Sequence, residues 1–172
     1  VFPWALYWMG LALILSGSMR SWFISAPDAS LEYGISKTVL SNGNWDFWSL
    51  QGNYNAMLSV SILPGLLSLI SSAPLLLSTK LFYPLIFSLI FICIWLISRK
   101  ILTNTLAFLA TLFFLSQPTI LDWIRLPPRQ EIAFFFLGLI FILLLIKNIN
   151  PKTKTTLIII FSISLAVSHY ST

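Results

Sequence analysis

The chain has 172 residues, of which 58% are hydrophobic, 15% aromatic and only 9% charged, with a formal net charge of +5. A soluble domain carries about 25% charged residues, so this composition excludes a soluble globular protein and a disordered chain. The remaining class is a polytopic membrane protein. A single cysteine, Cys93, excludes a disulfide framework, and the basic residues stand at the ends of apolar runs rather than in a nucleic-acid patch.

Runs without charged residues predict where the chain crosses the membrane, because a bilayer core of about 30 Å needs roughly 20 apolar residues in a helix. We predict an all-α membrane protein with about five transmembrane helices. These spans cover about residues 1–19, 81–98, 102–118, 131–147 and 155–172. The chain is predicted to be a single transmembrane module over residues 1–172, and we expect it to be a piece of a longer protein because it begins and stops inside apolar runs.

The segment from about residue 20 to residue 80 is predicted to be a long outer loop that contains short interfacial helices. Its apolar part includes Pro64-Gly65, and a proline there removes a helical hydrogen bond that lipid cannot replace. We therefore predict that residues 54–72 return to the side from which they came. A count of lysines and arginines alone favours the alternative, in which this segment crosses the membrane.

Two acids, Asp28 and Glu32, stand at the start of a predicted helix from Asp28 to Leu40 within the outer loop. Their spacing places both carboxylates on the face that also carries the apolar residues Leu31, Ile35 and Val39. Solvated acids would lie on the opposite face. We predict a carboxylate pair in which one member is a general base or both hold a divalent cation. The alternative is that these acids complement the helix dipole.

The densest charge cluster follows the third predicted span and contains Asp122, Arg125, Arg129 and Glu131. Pro127-Pro128 forces a break, so a new helix begins near Arg129 with free backbone N–H groups. Arginine side chains add fork-shaped donors, and together these groups predict a cradle for a lipid-linked phosphate or pyrophosphate, with Asp122 or Glu131 as an acidic partner that orients the arginines. The alternative is a loop fixed by its own ion pairs, with the arginines at lipid headgroups.

Two isolated polar residues complete the set of candidates. Lys80, at the outer start of a span, is a candidate phosphate contact, with snorkelling to the membrane surface as the alternative. His169 ends the last span among polar neighbours, which indicates a helix that enters a cavity; a hydrogen bond between helices is the alternative. No second histidine exists and Cys93 is remote in sequence, so a zinc site is not expected.

The order of these features resembles the N-terminal part of a prokaryotic family of predicted membrane proteins of unknown function, which is grouped with the GT-C glycosyltransferases. The most specific stretches of the resemblance are Arg129-Gln130-Glu131 and residues 168–172. The resemblance implies a GT-C-like N-terminal module with Asp28 at the active site and Asp122 or Glu131 as a second acid. The chain lacks the contiguous Asp-x-Asp of the class, which leaves a divalent cation as an open cofactor.

The predicted function is that of an integral membrane glycosyltransferase in a prokaryotic plasma membrane, with its active face outside. It takes a sugar from a polyprenyl-phosphate donor, in contact with membrane lipid and without nucleic acid. The predicted catalytic residues are Asp28 and Glu32, and the predicted substrate-binding residues are Asp122, Arg125, Arg129, Glu131, Lys80 and His169. The alternative is a non-enzymatic transporter module or assembly scaffold; the lack of charges within the predicted spans counts against transport.

Overall fold

The computed structural model describes residues 1–24, 26–46, 48, 53–118, 120 and 128–169. Every regular element in this part of the chain is a helix, which confirms the all-α class. The elements are α1 (Phe2–Ser18), α2 (Pro27–Asn42), a 3-10 turn (Asn53–Ala56), α3 (Leu58–Ser61), α4 (Leu63–Ser71), α5 (Leu75–Phe87), α6 (Leu89–Ser98), α7 (Asn104–Leu115), α8 (Pro128–Leu145) and α9 (Pro151–Ser168).

In the described ranges one helical rod, Leu75–Ser98, is long and apolar enough to cross a membrane, as judged by its length and composition. It consists of α5 and α6 with Ser88 between them. Shorter apolar helices cover Phe2–Ser18, Leu58–Ser71 and Asn104–Leu115. The membrane setting and the five spans stay predictions.

A proline inside the rod ties it to α1. Pro84 has no N–H, so the carbonyl of Lys80, four residues earlier, loses its helical donor. The hydroxyl of Ser18, at the end of α1, donates to that carbonyl at 3.3 Å. The hydroxyl and the backbone N–H of Ser88 both donate to the Pro84 carbonyl, at 2.6 and 3.0 Å. These hydrogen bonds stabilise the rod, because a buried backbone carbonyl without a donor costs free energy in apolar surroundings.

Helix α1 and the rod run in opposite directions. Ser18 lies beside Lys80, whereas Gly10, eight residues earlier in α1, lies against the ring of Phe91, eleven residues later in the rod. The chain between them begins and ends at the same end of the bundle, as the predicted return of residues 54–72 requires. Helix α4, which belongs to this connecting segment, packs against α2 and α5.

Helices α8 and α9 form an antiparallel hairpin that packs on the rod through α8. At its turn, Lys154 Nζ donates to the carbonyls of Leu144 and Ile146 at 3.2 and 3.0 Å. The end of α9 consequently returns to the start of α8. There the Ser59 hydroxyl donates to the Ser168 carbonyl at 3.2 Å, so α3 lies at the same end.

Glycine lets α1 approach the rod closely. A Cβ on Gly10 would lie 2.2 Å from the buried ring of Phe91. We expect Gly10→Ala to lower the free energy of unfolding by about 1–3 kcal/mol, because overpacking shifts side chains and backbone. Gly34→Ala in α2 is the matched control: a Cβ there meets nothing within 4 Å. The control should gain up to about 1 kcal/mol. Thermal unfolding of the detergent-solubilised protein measures both changes, and equal stability of the two variants would contradict the packing.

Candidate functional site

Helix α2 carries two of the predicted acids. Pro27 fits its first turn, where an N–H is not needed, and Gly43 ends it in the left-handed conformation at φ 68°. The helix predicted from Asp28 to Leu40 is thus confirmed, one residue longer at its start and two at its end. Its buried residues are Ala29, Glu32, Ile35 and Ser36. Leu31, which was expected on the same face as the two acids, is 50% exposed.

Helix α8 begins at Pro128, as the double proline predicts. Two charged residues in its first turn, Arg129 and Glu131, are both buried, with 4% and 6% of their surfaces exposed. A buried charge is costly unless it is paired and hydrogen-bonded. The partners of these two side chains therefore decide what this end of the bundle can do.

Arg129 joins α8 to α2 through both acids. Its Nη1 donates to Glu32 Oε1 at 2.5 Å, and its Nη2 donates to Asp28 Oδ2 at 3.1 Å. Its backbone N–H donates to Glu32 Oε2 at 3.4 Å. The guanidinium also lies 4.8 Å from the centre of the Tyr54 ring. Asp28, Glu32 and Arg129 are called the acid–arginine cluster below.

Glu32 occupies the anion position that the sequence assigned to a phosphate. Its carboxylate meets both the guanidinium and the first-turn N–H of α8, where the helix dipole favours negative charge. Only 1% of the Glu32 side chain is exposed, against 56% for Asp28. Glu32 therefore holds Arg129 in place from the buried side, and Asp28 is the carboxylate that a substrate can reach.

The buried position of Glu32 changes its titration. Burial raises the pKa of the Glu32 carboxyl to about 7, and the charge and hydrogen bonds of Arg129 lower it only in part. The nearby negative charge of Asp28 acts in the same direction as burial. Glu32 thus changes protonation near neutral pH.

Further polar groups surround the cluster. His169, which follows α9, lies within electrostatic range of Arg129. The buried hydroxyl of Tyr83 donates to the Ser59 carbonyl. Glu131 Oε2 is buried and has no hydrogen-bond partner among the described residues. Several buried polar groups therefore lie around the cluster at this end of the bundle.

A small recess of about 170 Å³ adjoins the buried carboxyl of the cluster. Its walls come from α2, α3, α4 and α5, and its lining residues are Glu32, Tyr33, Val60, Pro64, Thr79 and Tyr83. Part of this volume is open to solvent, and the enclosed space holds no more than about one water molecule, so the recess is too small for a sugar. Substrate chemistry is consequently expected on the Asp28 side of the cluster.

The structure brings together four of the eight predicted site residues and places His169 near them through its interaction with Arg129. The four are Asp28, Glu32, Arg129 and, buried beside them, Glu131. Lys80 instead donates to the carbonyls of Ser21 and Phe23, the latter at 3.0 Å. Asp122 and Arg125 lie outside the described residues. The sequence analysis missed Tyr54, whose only signal is an aromatic ring in a charge-poor segment.

These contacts bear on two expectations about partners. Asp122 or Glu131 was predicted to be the acidic partner of the arginines; Asp122 lies outside the described residues, and the acids shown in contact with Arg129 are Asp28 and Glu32. The same two acids were candidates to hold a divalent cation. The guanidinium already lies between them, so the pair does not offer a cation site. Among the described residues, no group of three or more histidines, cysteines and acids is placed to hold a metal.

Comparison with protein-family models, curated proteins and solved structures found no match for this chain. The resemblance to a GT-C-like family therefore stays a prediction, and a functional assignment has to rest on the site.

Loss of the central cation should destabilise the fold. We expect Arg129→Met to cost about 3–5 kcal/mol, because it leaves buried Glu32 without its partner. Arg99→Met is the matched control: Arg99 also stacks on an aromatic ring, at 4.6 Å from the centre of Trp95, but it is exposed. It should cost at most about 1 kcal/mol. Chemical unfolding in neutral detergent compares them, and equal losses would contradict the role of the cluster.

Stability should depend on pH through Glu32. Its pKa is about 7 in the folded chain against 4.5 for an ordinary glutamate, so the folded state holds the proton more tightly. The contribution is complete below about pH 4.5 and is lost as the pH rises through about 7. Unfolding midpoints measured across this range should fall with rising pH. Glu32→Gln should flatten the curve, and an unchanged curve in that variant would refute the assignment.

Proposed function

We propose that the chain is part of an integral membrane glycosyltransferase of the GT-C type, which moves a sugar from a polyprenyl-phosphate donor to an acceptor on the outer face. The observation that carries this proposal is the position of the Asp28 side chain. Its half-exposed carboxylate is held by the buried Arg129 at one end of an apolar helical bundle. A fixed, accessible carboxylate is what a general base requires.

The chemistry follows from the accessibility of each group. Asp28 removes the proton from an acceptor hydroxyl, whose oxygen attacks the anomeric carbon of the donor sugar. The bond between that carbon and the phosphate oxygen breaks, and the phosphate leaves with the electron pair. Arg129 keeps Asp28 in one orientation through the 3.1 Å contact, and Glu32 keeps Arg129 in place. Arg129 and Glu32 are thus positioning residues in this scheme.

The distribution of charge supports the membrane setting. The cluster occupies one end of the bundle, and Arg99, Lys100, Lys152 and Lys154 occupy the other, at the end of α6 and the start of α9. The predicted spans between these ends carry no Asp, Glu, Lys or Arg in their middle, as expected for helices in lipid. Helix α4 exposes Leu66, Leu69 and Ile70, by 48%, 68% and 74%, as an interfacial helix does.

A structural scaffold is the second candidate function, and one observation favours it. Both Nη atoms of Arg129 are engaged by acids, so the cluster also satisfies itself without a substrate. In a scaffold, the exposed Asp28 contact would contribute no more than about 1 kcal/mol to stability. The two functions therefore differ in what the loss of Asp28 does.

Asp28→Asn tests the proposal directly. We expect the variant to insert and fold normally but to lose sugar transfer by about 100-fold or more, because an amide cannot accept the proton. The assay uses full-length protein in membranes and a panel of radiolabelled sugars linked to polyprenyl phosphate. Asp46→Asn is the control, because Asp46 lies outside the acid–arginine cluster and its carboxylate accepts a hydrogen bond from the backbone N–H of Trp48.

Two results would overturn the proposed function. In the first, Asp28→Asn transfers sugar as fast as the unaltered protein. In the second, the unaltered full-length protein transfers sugar from no donor of the panel, while Asp28→Asn changes only stability. The second result would favour the scaffold.

A further inference from the structure

The cluster leaves open where the phosphate of a lipid-linked donor binds. Asp28 and Glu32 already engage both Nη atoms of the Arg129 guanidinium, and Glu131 is buried close to Glu32. A donor phosphate could reach this guanidinium only by displacing one of the two carboxylates. A binding site for it is therefore expected at a different cation of the same end.

Lys80 is such a cation. Only 9% of its surface is exposed, and both ion pairs in the described part of the chain belong to Arg129. An ammonium group has three N–H donors. Two of them reach the carbonyls of Ser21 and Phe23, and the third has no partner among the described residues. A buried charge without a counter-charge is costly, so an anion at this point would stabilise it.

Lys80 also lines a cleft. The cleft has a volume of about 290 Å³, which includes the solvent at its mouth, and it lies between the loop after α1 and the first turns of α5. Its lining residues are Met19, Ser21, Trp22, Leu76, Leu77 and Lys80. Trp22 and Met19 are 78% and 43% exposed at its edge. The cleft thus combines one buried cation with apolar walls that open outward.

We propose that this cleft, the Lys80 cleft, binds the phosphate and the first apolar part of a lipid-linked phosphate. The ammonium offsets the single negative charge of a phosphodiester between sugar and lipid, and the apolar walls match a hydrocarbon chain, which inorganic phosphate lacks. Phe23 and Asp28 are five residues apart, so they lie within ~18 Å of each other by chain length alone. A sugar carried by this phosphate therefore sits at the end of the bundle that holds Asp28. In this form the inference rests on the proposed function, because it names the donor site.

The test measures binding rather than transfer. Full-length protein in neutral detergent is mixed with a polyprenyl phosphate, with the uncharged polyprenol or with inorganic phosphate, and bound lipid is counted by native mass spectrometry and thermal stabilisation. We expect only the polyprenyl phosphate to bind. Lys80→Met keeps the bulk of the side chain and should weaken binding about tenfold or more. Lys37→Met, an exposed lysine on α2, is the control and should bind normally.

A second variant keeps the test decisive if Lys80→Met does not fold. Leu77→Trp fills the cleft and leaves Lys80 in place, and it should weaken binding as strongly. Normal binding by a folded Lys80→Met, or by Leu77→Trp if Lys80→Met does not fold, would overturn the inference. Equal binding of polyprenol or of inorganic phosphate would overturn it as well.

The two proposals fail in different ways. Asp28→Asn should bind polyprenyl phosphate as the unaltered protein does, while it loses transfer. If the unaltered protein transfers sugar and Lys80→Met binds the lipid normally, the Lys80 cleft is refuted as the donor site while the transferase function is supported. If binding depends on Lys80 but no donor supports transfer, the Lys80 cleft is supported as a lipid-phosphate site and the transferase function is refuted.

Discussion

The paired contacts of Arg129 with Glu32 and Asp28 are the constraint on which the functional end of this protein depends. They connect helices α2 and α8 across 97 and 101 residues of sequence. A buried guanidinium and a buried carboxylate are each costly alone, so each fixes the position of the other. This mutual requirement sets where α2 lies against the bundle and which face of it is covered. It also aims the more accessible carboxylate, Asp28, outward.

The rest of the bundle follows from the demand that polar backbone groups be paired in apolar surroundings. Pro84 frees the Lys80 carbonyl, and the hydroxyl of Ser18 replaces the missing donor. Lys80 in turn holds the carbonyls of the loop after α1. These contacts bring the chain back to the end of α1 after α2, α3 and α4. The acid–arginine cluster and the Lys80 cleft therefore share one end, where a headgroup and an acceptor could both arrive.

Charge separates the two proposed tasks at that end. In the cluster both Nη atoms of Arg129 are engaged by carboxylates, and Asp28 is the accessible one, which suits proton removal. The Lys80 cleft holds a cation that has no ion pair among the described residues, beside apolar walls, which suits a lipid-linked phosphate. A transferase needs both environments close together, since its base faces the acceptor and its cation stabilises the leaving group. One ion pair alone cannot provide both the base and the cation.

Local sequence determined the helices and several of their details. Pro27 and Gly43 set the bounds of α2, the double proline sets the start of α8, and the spacing of Asp28 and Glu32 puts them on one side. Only the tertiary structure decided that Arg129 pairs with these two acids of α2, that Leu31 is exposed, and that Lys80 contacts the loop after α1. These outcomes depend on the rotation and contact of helices that are distant in the chain. Helical periodicity fixes which residues share a face, but packing against the other helices decides what that face meets.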